Sequence, residues 1–298
     1  MRYQQNIFLG ALFILLSELM FASVGALVKQ ASNTLPNESL VFMRNFMGLL
    51  FIVPVLLHGR LKNLHTRVPQ LHLLRAVFGV SAMYCYFYAL AHLPLADAVL
   101  LKTTSPIFIP LIAWLWLGEK NSMIALLAVP IGFVGVGLIL DPAGETGWIT
   151  LVGVLGGLLA AAAKVTVRRL ARTESTASTV FYFAVFGTLV SFIPMSLVWT
   201  MPALHEWYYL VGIGLFASIG QLFLTRGYAI APVAKVGPFT YFSVVFAAFY
   251  GYVFWGETLD LYFVLGAALI IIAGVLAIGL WRRRPQDYQR AEQEVSGP

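Results

Sequence analysis

The sequence predicts an all-α polytopic membrane protein: ten transmembrane helices in two inverted five-helix repeats. Three observations predict it. The 298 residues are 60% hydrophobic and only 11% charged, with a mean hydropathy of +0.84. Soluble domains are about 45–50% apolar and about 25% charged, so this composition excludes a soluble enzyme, a disordered tail and a nucleic-acid-binding domain. The second observation is a succession of apolar runs, each close to the ~20 residues that one span needs. The third is an internal repeat of opposite polarity.

The apolar runs are taken in chain order. Residues 7–28 follow a single Arg2, contain Glu18 and lack a small-residue cleavage site, so they read as a retained helix and not a signal peptide. The second run, 40–57, carries Arg44 about one turn from its outer end. The third, 71–90, begins near Arg75 and holds Tyr84, Tyr86 and Tyr88. Tyr84 and Tyr88 share a helical face, whereas Tyr86 points elsewhere. The fourth, 95–117, opens behind Pro94 and contains Lys102, Ser105, Pro106 and Pro110. The fifth and sixth, 123–140 and 149–167, carry Gly132, Gly135, Gly137, Gly153, Gly156 and Gly157, which suit close helix packing in lipid. Lys164 lies one turn before Arg168, where it can snorkel to the cytoplasm. Runs 179–199 and 261–281 contain no ionisable Asp, Glu, Lys or Arg. Run 207–225 holds Gln221, and run 233–255 opens behind Pro232 and ends at Gly256-Glu257. Lipid offers no partner to free backbone groups, so helices are the available solution. The alternating pattern of a β-barrel is absent.

Basic residues predict the orientation. With both termini cytoplasmic, thirteen of the 19 Lys and Arg fall on the cytoplasmic side, Lys29 lies opposite, and five lie inside spans. This is the positive-inside pattern of a multi-pass inner-membrane protein. It accounts for the +6 net charge without nucleic acid. The expected organisation is a first repeat at 7–140, a second at 149–281 and a cytoplasmic basic and polar tail at 282–298.

Residues 94–119 and 232–257 align without a gap at an offset of 138, with six of 26 positions identical. The identities include Pro94/Pro232 at one end, Ser105/Ser243 within, and Gly118-Glu119/Gly256-Glu257 at the other end. Pro opens a helix because it lacks a donor that would be unpaired there, and Gly ends one without a Cβ penalty. Five spans per half is an odd number, so the halves cross the membrane in opposite senses. Inverted repeats are a recurrent way to build alternating access. Glu119 and Glu257 are expected to cap helix ends.

The stretch 219–260, with Gln221, Arg226, Tyr228, Pro232, Tyr241, Gly251, Gly256 and Glu257, resembles the last part of an EamA domain of the drug/metabolite transporter superfamily. The first half fits the same pattern through Arg44, Arg75, Tyr88, Ala89, Pro106, Gly118 and Glu119, and the resemblance covers about residues 8–280. It implies ten helices in two inverted repeats, a central cavity and alternating access. Members of that family carry amino acids, nucleotide-type metabolites, vitamins, sugars or drugs, often outward. Lys102 departs from the small or apolar residue that the family pattern suggests.

Intramembrane charges cost roughly 2.5–3.5 kcal/mol each and mark candidate sites. Glu18, near the midplane, Arg44 and Lys102 are expected to line the cavity. There the carboxylate would switch between a proton and ion pairing with Lys102 or Arg44, and an anionic or zwitterionic substrate would compete for the cations. Tyr84, Gln221 and Tyr241 are further substrate candidates; Ser105, Pro106 and Pro110 would bend the fourth helix; Arg75 would hold phosphate headgroups or close an inner gate. The competing structural readings are ion pairing for Arg44 and Glu18, and interhelical bonding for Gln221.

No nucleophile–base pair, Walker A sequence or metal-ligand spacing is present; Cys85 is the sole cysteine, so no intramolecular disulfide forms. The expectation is a transporter and not an enzyme, without cofactor or metal, partnered by a small-molecule metabolite, membrane lipids and protons. It would act as a monomer or homodimer without nucleic acid. The favoured cargo is a small carboxylate-bearing, amino-acid-like metabolite, exported or exchanged. The nearest alternative is a vitamin or nucleoside derivative such as an S-adenosylmethionine-like compound. A lipid scramblase or structural membrane subunit is the alternative from another class.

Overall fold

The structure, a computed structural model, describes residues 7–58, 66–117, 123–139, 147–170, 173–174, 176–230 and 237–280. The described residues are helical with short connections. The helices are α1 (Ile7–Ala31), α2 (Asn37–His58), α3 (Pro69–His92), α4 (Leu95–Lys102), α5 (Ser105–Leu117) and α6 (Met123–Ile139). They continue as α7 (Gly147–Leu170), α8 (Thr176–Val198), α9 (Glu206–Ile230), a 3₁₀ turn (Gly237–Tyr241), α10 (Phe242–Trp255) and α11 (Leu261–Leu280). Among the described residues, six segments are long and apolar enough to cross a membrane on their own, one of them formed by α4 and α5 together. Many large apolar side chains face outward, among them Leu197, Phe254 and Leu115, as lipid-facing helices require.

The fourth span is broken as its proline chemistry demands. Pro106 offers no N–H to the carbonyl one turn before it, that of Lys102. The helix stops at Lys102, and Thr103 and Thr104 turn their hydroxyls back onto the carbonyls of Leu100 and Leu101 at 2.7 and 2.6 Å. Ser105 then opens α5, so the break sits just before the Ser105-Pro106 pair. At the repeat offset, Thr103 corresponds to Tyr241, where the 3₁₀ turn ends and α10 begins. Both halves therefore depart from a continuous α-helix at the same level of the repeat, the first by a turn and the second by a 3₁₀ segment.

The packing carries the same symmetry. α1 lies on α9 and, in exchange, α3 lies on α7; α2 meets α9 as α8 meets α3; α6 pairs with α11 and α2 with α8. Each contact maps onto another, or onto itself, when the first five spans are swapped with the last five. Small residues allow the close approaches: a Cβ on Gly135 would lie 2.8 Å from the Gly266 carbonyl oxygen of α11, and one on Gly157 would meet the Thr104 hydroxyl. Gly137, by contrast, faces open space, so only part of the glycine set packs helices together.

One end of the bundle is closed by polar contacts. Gly256 ends α10 in a left-handed conformation (φ 66°), and the following N–H, of Glu257, bonds to the Gly251 carbonyl at 3.1 Å. The Glu257 carboxylate then accepts the Leu95 N–H at 2.7 Å and pairs with Lys29 at 2.6 Å, while Lys29 also donates to the Leu93 carbonyl at 2.6 Å. Glu257 thus caps the start of the fourth span, in the other half of the chain. This contact sets the start of the fourth span beside the end of the ninth, so these two equivalent spans run antiparallel. Glu119 and Gly118, their sequence counterparts, lie outside the described residues, as do Pro232 and the 282–298 tail.

At another corner, Glu174 joins α3 to the α7–α8 connection. It accepts from Thr66 at 2.9 Å and Ser178 at 3.1 Å and lies 3.6 Å from the buried His72. Burial would raise its carboxyl, but those two hydroxyls and the neighbouring His72 hold it below the usual range.

Candidate functional site

The interior charges fall into two neighbouring groups. The first lines a small cavity of about 60 Å³ between α2, α3, α8 and α9, below the ~300–1,000 Å³ typical of small-molecule sites. Arg44 and Arg75 line it together with Asn45, Phe183, Ser218 and Gln221. Arg44 donates to the Asn45 side-chain oxygen at 3.2 Å, and Asn45 is itself fixed by donating to the Val41 carbonyl at 2.8 Å. Arg75 stacks on the Phe183 ring at 3.8 Å, with Nε and Nη1 buried and without hydrogen-bond partners. Each arginine lies within reach of the other's charge. Among the described residues, no carboxylate forms an ion pair with either. Two guanidinium groups on one cavity wall present a rigid fork of donors that matches a carboxylate or phosphate.

The second group gathers on α1, α4 and α7. Lys102 lies over the rings of Phe21 (5.3 Å) and Tyr86 (4.8 Å), a cation–π seat in the absence of a close anion. Lys164 donates to Ser105 Oγ at 2.6 Å. Glu18 is 7% exposed and lies within electrostatic range of both lysines. Among the described residues it forms no ion pair within 4 Å. Lys102 in turn feels the charge of Arg44, so the two groups form one electrostatic chain across the interior.

The predicted residues are distributed as follows. Glu18 and Lys102 share a group, and Arg44 joins Gln221 in the neighbouring cavity. Arg75, expected at an inner gate or headgroup, lines the cavity beside Arg44. Lys164, expected to snorkel to the cytoplasm, instead reaches Ser105 at the helix break. Ser105 is buried, Pro106 half-buried in the first turn of α5, and Pro110 further along that helix. Tyr84 points toward the start of α2: its carbonyl accepts from Asn37 at 3.1 Å and its hydroxyl is buried without a partner. Tyr241 is 4% exposed and its hydroxyl abuts Gly274 of α11, apart from both charge groups. Sequence reasoning passed over Asn45, Phe183 and Tyr86. Tyr86 had a signal: it lies on the helical face next to Cys85, and Cys85 packs on Gly156 of the lysine-bearing helix.

A second depression, of about 340 Å³, lies at the closed end and is lined by Asp97, Glu257 and Asp260. Its carboxylates make it unlike the arginine cavity in sign. Asp260 is engaged in capping α11, accepting the Phe263 N–H at 2.6 Å.

Residues 8–141 and 147–279 both match the model of the EamA-like transporter family. The chain is 36% identical to the pseudopaline exporter CntI of Pseudomonas aeruginosa over 89% of its own length and 94% of that protein. It is 30% identical to a riboflavin transporter of Brucella anthropi, covering 81% of this chain and 87% of that one. It is 28% identical to human solute carrier family 35 member G1, covering 89% and 77% of the two chains. A crystal structure of a protein aligns with a TM-score of 0.63 at 20% identity over 92% of this chain and 98% of that one, which shows a shared fold.

Proposed function

Because the chain belongs to the EamA-like transporter family, we propose that it exports or exchanges a small carboxylate-bearing, amino-acid-like metabolite across the inner membrane. The observation that carries this reading is the pairing of Arg44 and Arg75 on one cavity with no ion-paired carboxylate on either among the described residues. Leaving a buried cation without an anion is costly, and an arriving carboxylate would offset that cost. Export is supported by similarity to a protein named as an exporter. Cytoplasmic termini are supported by the concentration of Lys and Arg in the loops on that side. Movement would be alternating access: the broken fourth and ninth spans rock about the cavity, and the Lys29–Glu257–Leu95 contact seals one end in the form described. Glu18, beside Lys102 and Lys164, would receive the substrate amine or a proton.

A second reading is favoured by similarity to a riboflavin transporter and by the Phe183 ring facing the same cavity. In that reading an aromatic heterocycle stacks on Phe183, and the arginines bind its polar edge.

The test compares the medium of cells producing the wild-type chain with that of cells producing Arg44→Gln/Arg75→Gln, by untargeted mass spectrometry. The expected result is a carboxylated solute enriched outside only with the wild type. An enriched solute without a carboxyl group, or one indifferent to both arginines, overturns the reading.

A further inference from the structure

Among the described residues, the spans carry Arg44, Arg75, Lys102 and Lys164 away from the span ends, against the single carboxylate of Glu18. One substrate carboxylate at the arginine pair leaves the lysine pair under-compensated. Glu18 is within electrostatic range of both lysines but in contact with neither, and it can balance only one of them. The lysines are held by substitutes for an anion: two aromatic faces for Lys102 and a neutral hydroxyl for Lys164. Both are contacts that an arriving carboxylate can replace or share. Neither lysine is fully enclosed by the protein.

We infer that the lysine pair is a second anion subsite, and that the cargo carries at least two carboxylates, one for Arg44 and Arg75 and one for Lys102 and Lys164. Glu18 lies at the lysine end, where it meets the cargo's amine. This deepens the carboxylate reading above and rests on it. The arginine fork selects a planar anion by geometry, whereas the lysines act as point charges and tolerate a range of spacings between the two groups. Ser105 ties this subsite to the break in the fourth span, so filling it would move the Lys164–Ser105 bond and, with it, the start of α5.

The test is a titration of purified full-length protein with a spacing series: aspartate, glutamate, 2-aminoadipate and 2-aminopimelate, each against its side-chain amide. The expected result is that at least one acid binds about 10-fold more tightly than its amide. That preference should fall below about threefold in Lys102→Gln/Lys164→Gln and return in Lys102→Arg/Lys164→Arg, which keeps the charge and reports on folding. Equal binding of every acid and amide, or a preference that survives loss of both lysines, overturns the second subsite. If binding then still requires Arg44 and Arg75, the single-carboxylate reading stands. If no member binds, or none depends on the arginines, both readings fall.

Discussion

The closed end and the central cavity of this bundle use the same charged residue types in opposite ways. At the closed end Lys29 is surrounded: a carboxylate at 2.6 Å, a carbonyl at 2.6 Å, and the Trp255 ring at 5.6 Å. In the cavity, Arg75 has an aromatic face and two buried N–H groups without acceptors. A charge whose partners are all supplied by the chain holds the chain together. A charge without such partners is, on the proposed reading, completed by something that is not part of the chain. Lys102 stands between the two, with rings beneath it and a carboxylate only at longer range.

That contrast is open to experiment. The largest effect is expected at the arginines: Arg75→Gln or Arg44→Gln should lower transport of the carboxylate cargo about 100-fold, as loss of a charge-assisted pair in a desolvated site implies. Membrane abundance should be unchanged. Unchanged flux would place the arginines with Lys29 as structural cations. Next, Lys102→Gln should reduce flux about tenfold, and Glu18→Gln should retain carboxylate affinity while removing dependence on a proton gradient. Wild-type flux and pH dependence in both variants would dissolve the proposed group. Third, Glu257→Gln retains an oxygen to accept the Leu95 N–H but loses the ion pair. It should shift the closed end toward opening by about fivefold, from a partly exposed pair worth about 1 kcal/mol. Labelling rates of a cysteine introduced at Leu95 measure this, and cargo affinity should hardly move. The smallest effect is expected at Glu174. Its carboxyl is held below the usual range, so its contribution is present above the unfolded-state value and fades as pH falls through the lower folded-state one. Glu174→Gln should therefore lower the melting temperature by roughly 2 °C at neutral pH and by less below about pH 4.

Most of the fold was legible because lipid removes alternatives. A run without a charge, such as 261–281, has to be a helix wherever it crosses, and its neighbours follow from loop length. The broken fourth span was legible from Ser105-Pro106, although the break falls at Thr103–Thr104, where the two hydroxyls take up their own helix's carbonyls. The site was less legible because depth along a span says nothing about which neighbour a side chain meets. Depth groups Glu18, Arg44 and Lys102 together, whereas the structure sets Glu18 near Lys102 and places Arg44 in the neighbouring cavity. The depth of Arg75 suggests a headgroup contact or an inner gate, and only the packing of α2, α3 and α8 shows that it lines one cavity with Arg44. Lys164 was read from its distance to the helix end, but Ser105 lies within its reach across the bundle. The capping of α4 by Glu257 was half legible: the residue type announced a cap, while only the antiparallel arrangement of spans four and nine decided whose helix it serves.

The central claim is that Arg44 and Arg75 receive a carboxylate of the cargo. Its most direct test is counterflow in vesicles reconstituted with the full chain, using the solute that accumulates outside wild-type cells and the methyl ester of that solute. The account predicts saturable counterflow of the free acid, exclusion of the ester, and loss of flux in Arg44→Gln/Arg75→Gln at equal protein incorporation. Transport of the ester as fast as the acid, or full flux without the two arginines, would contradict it.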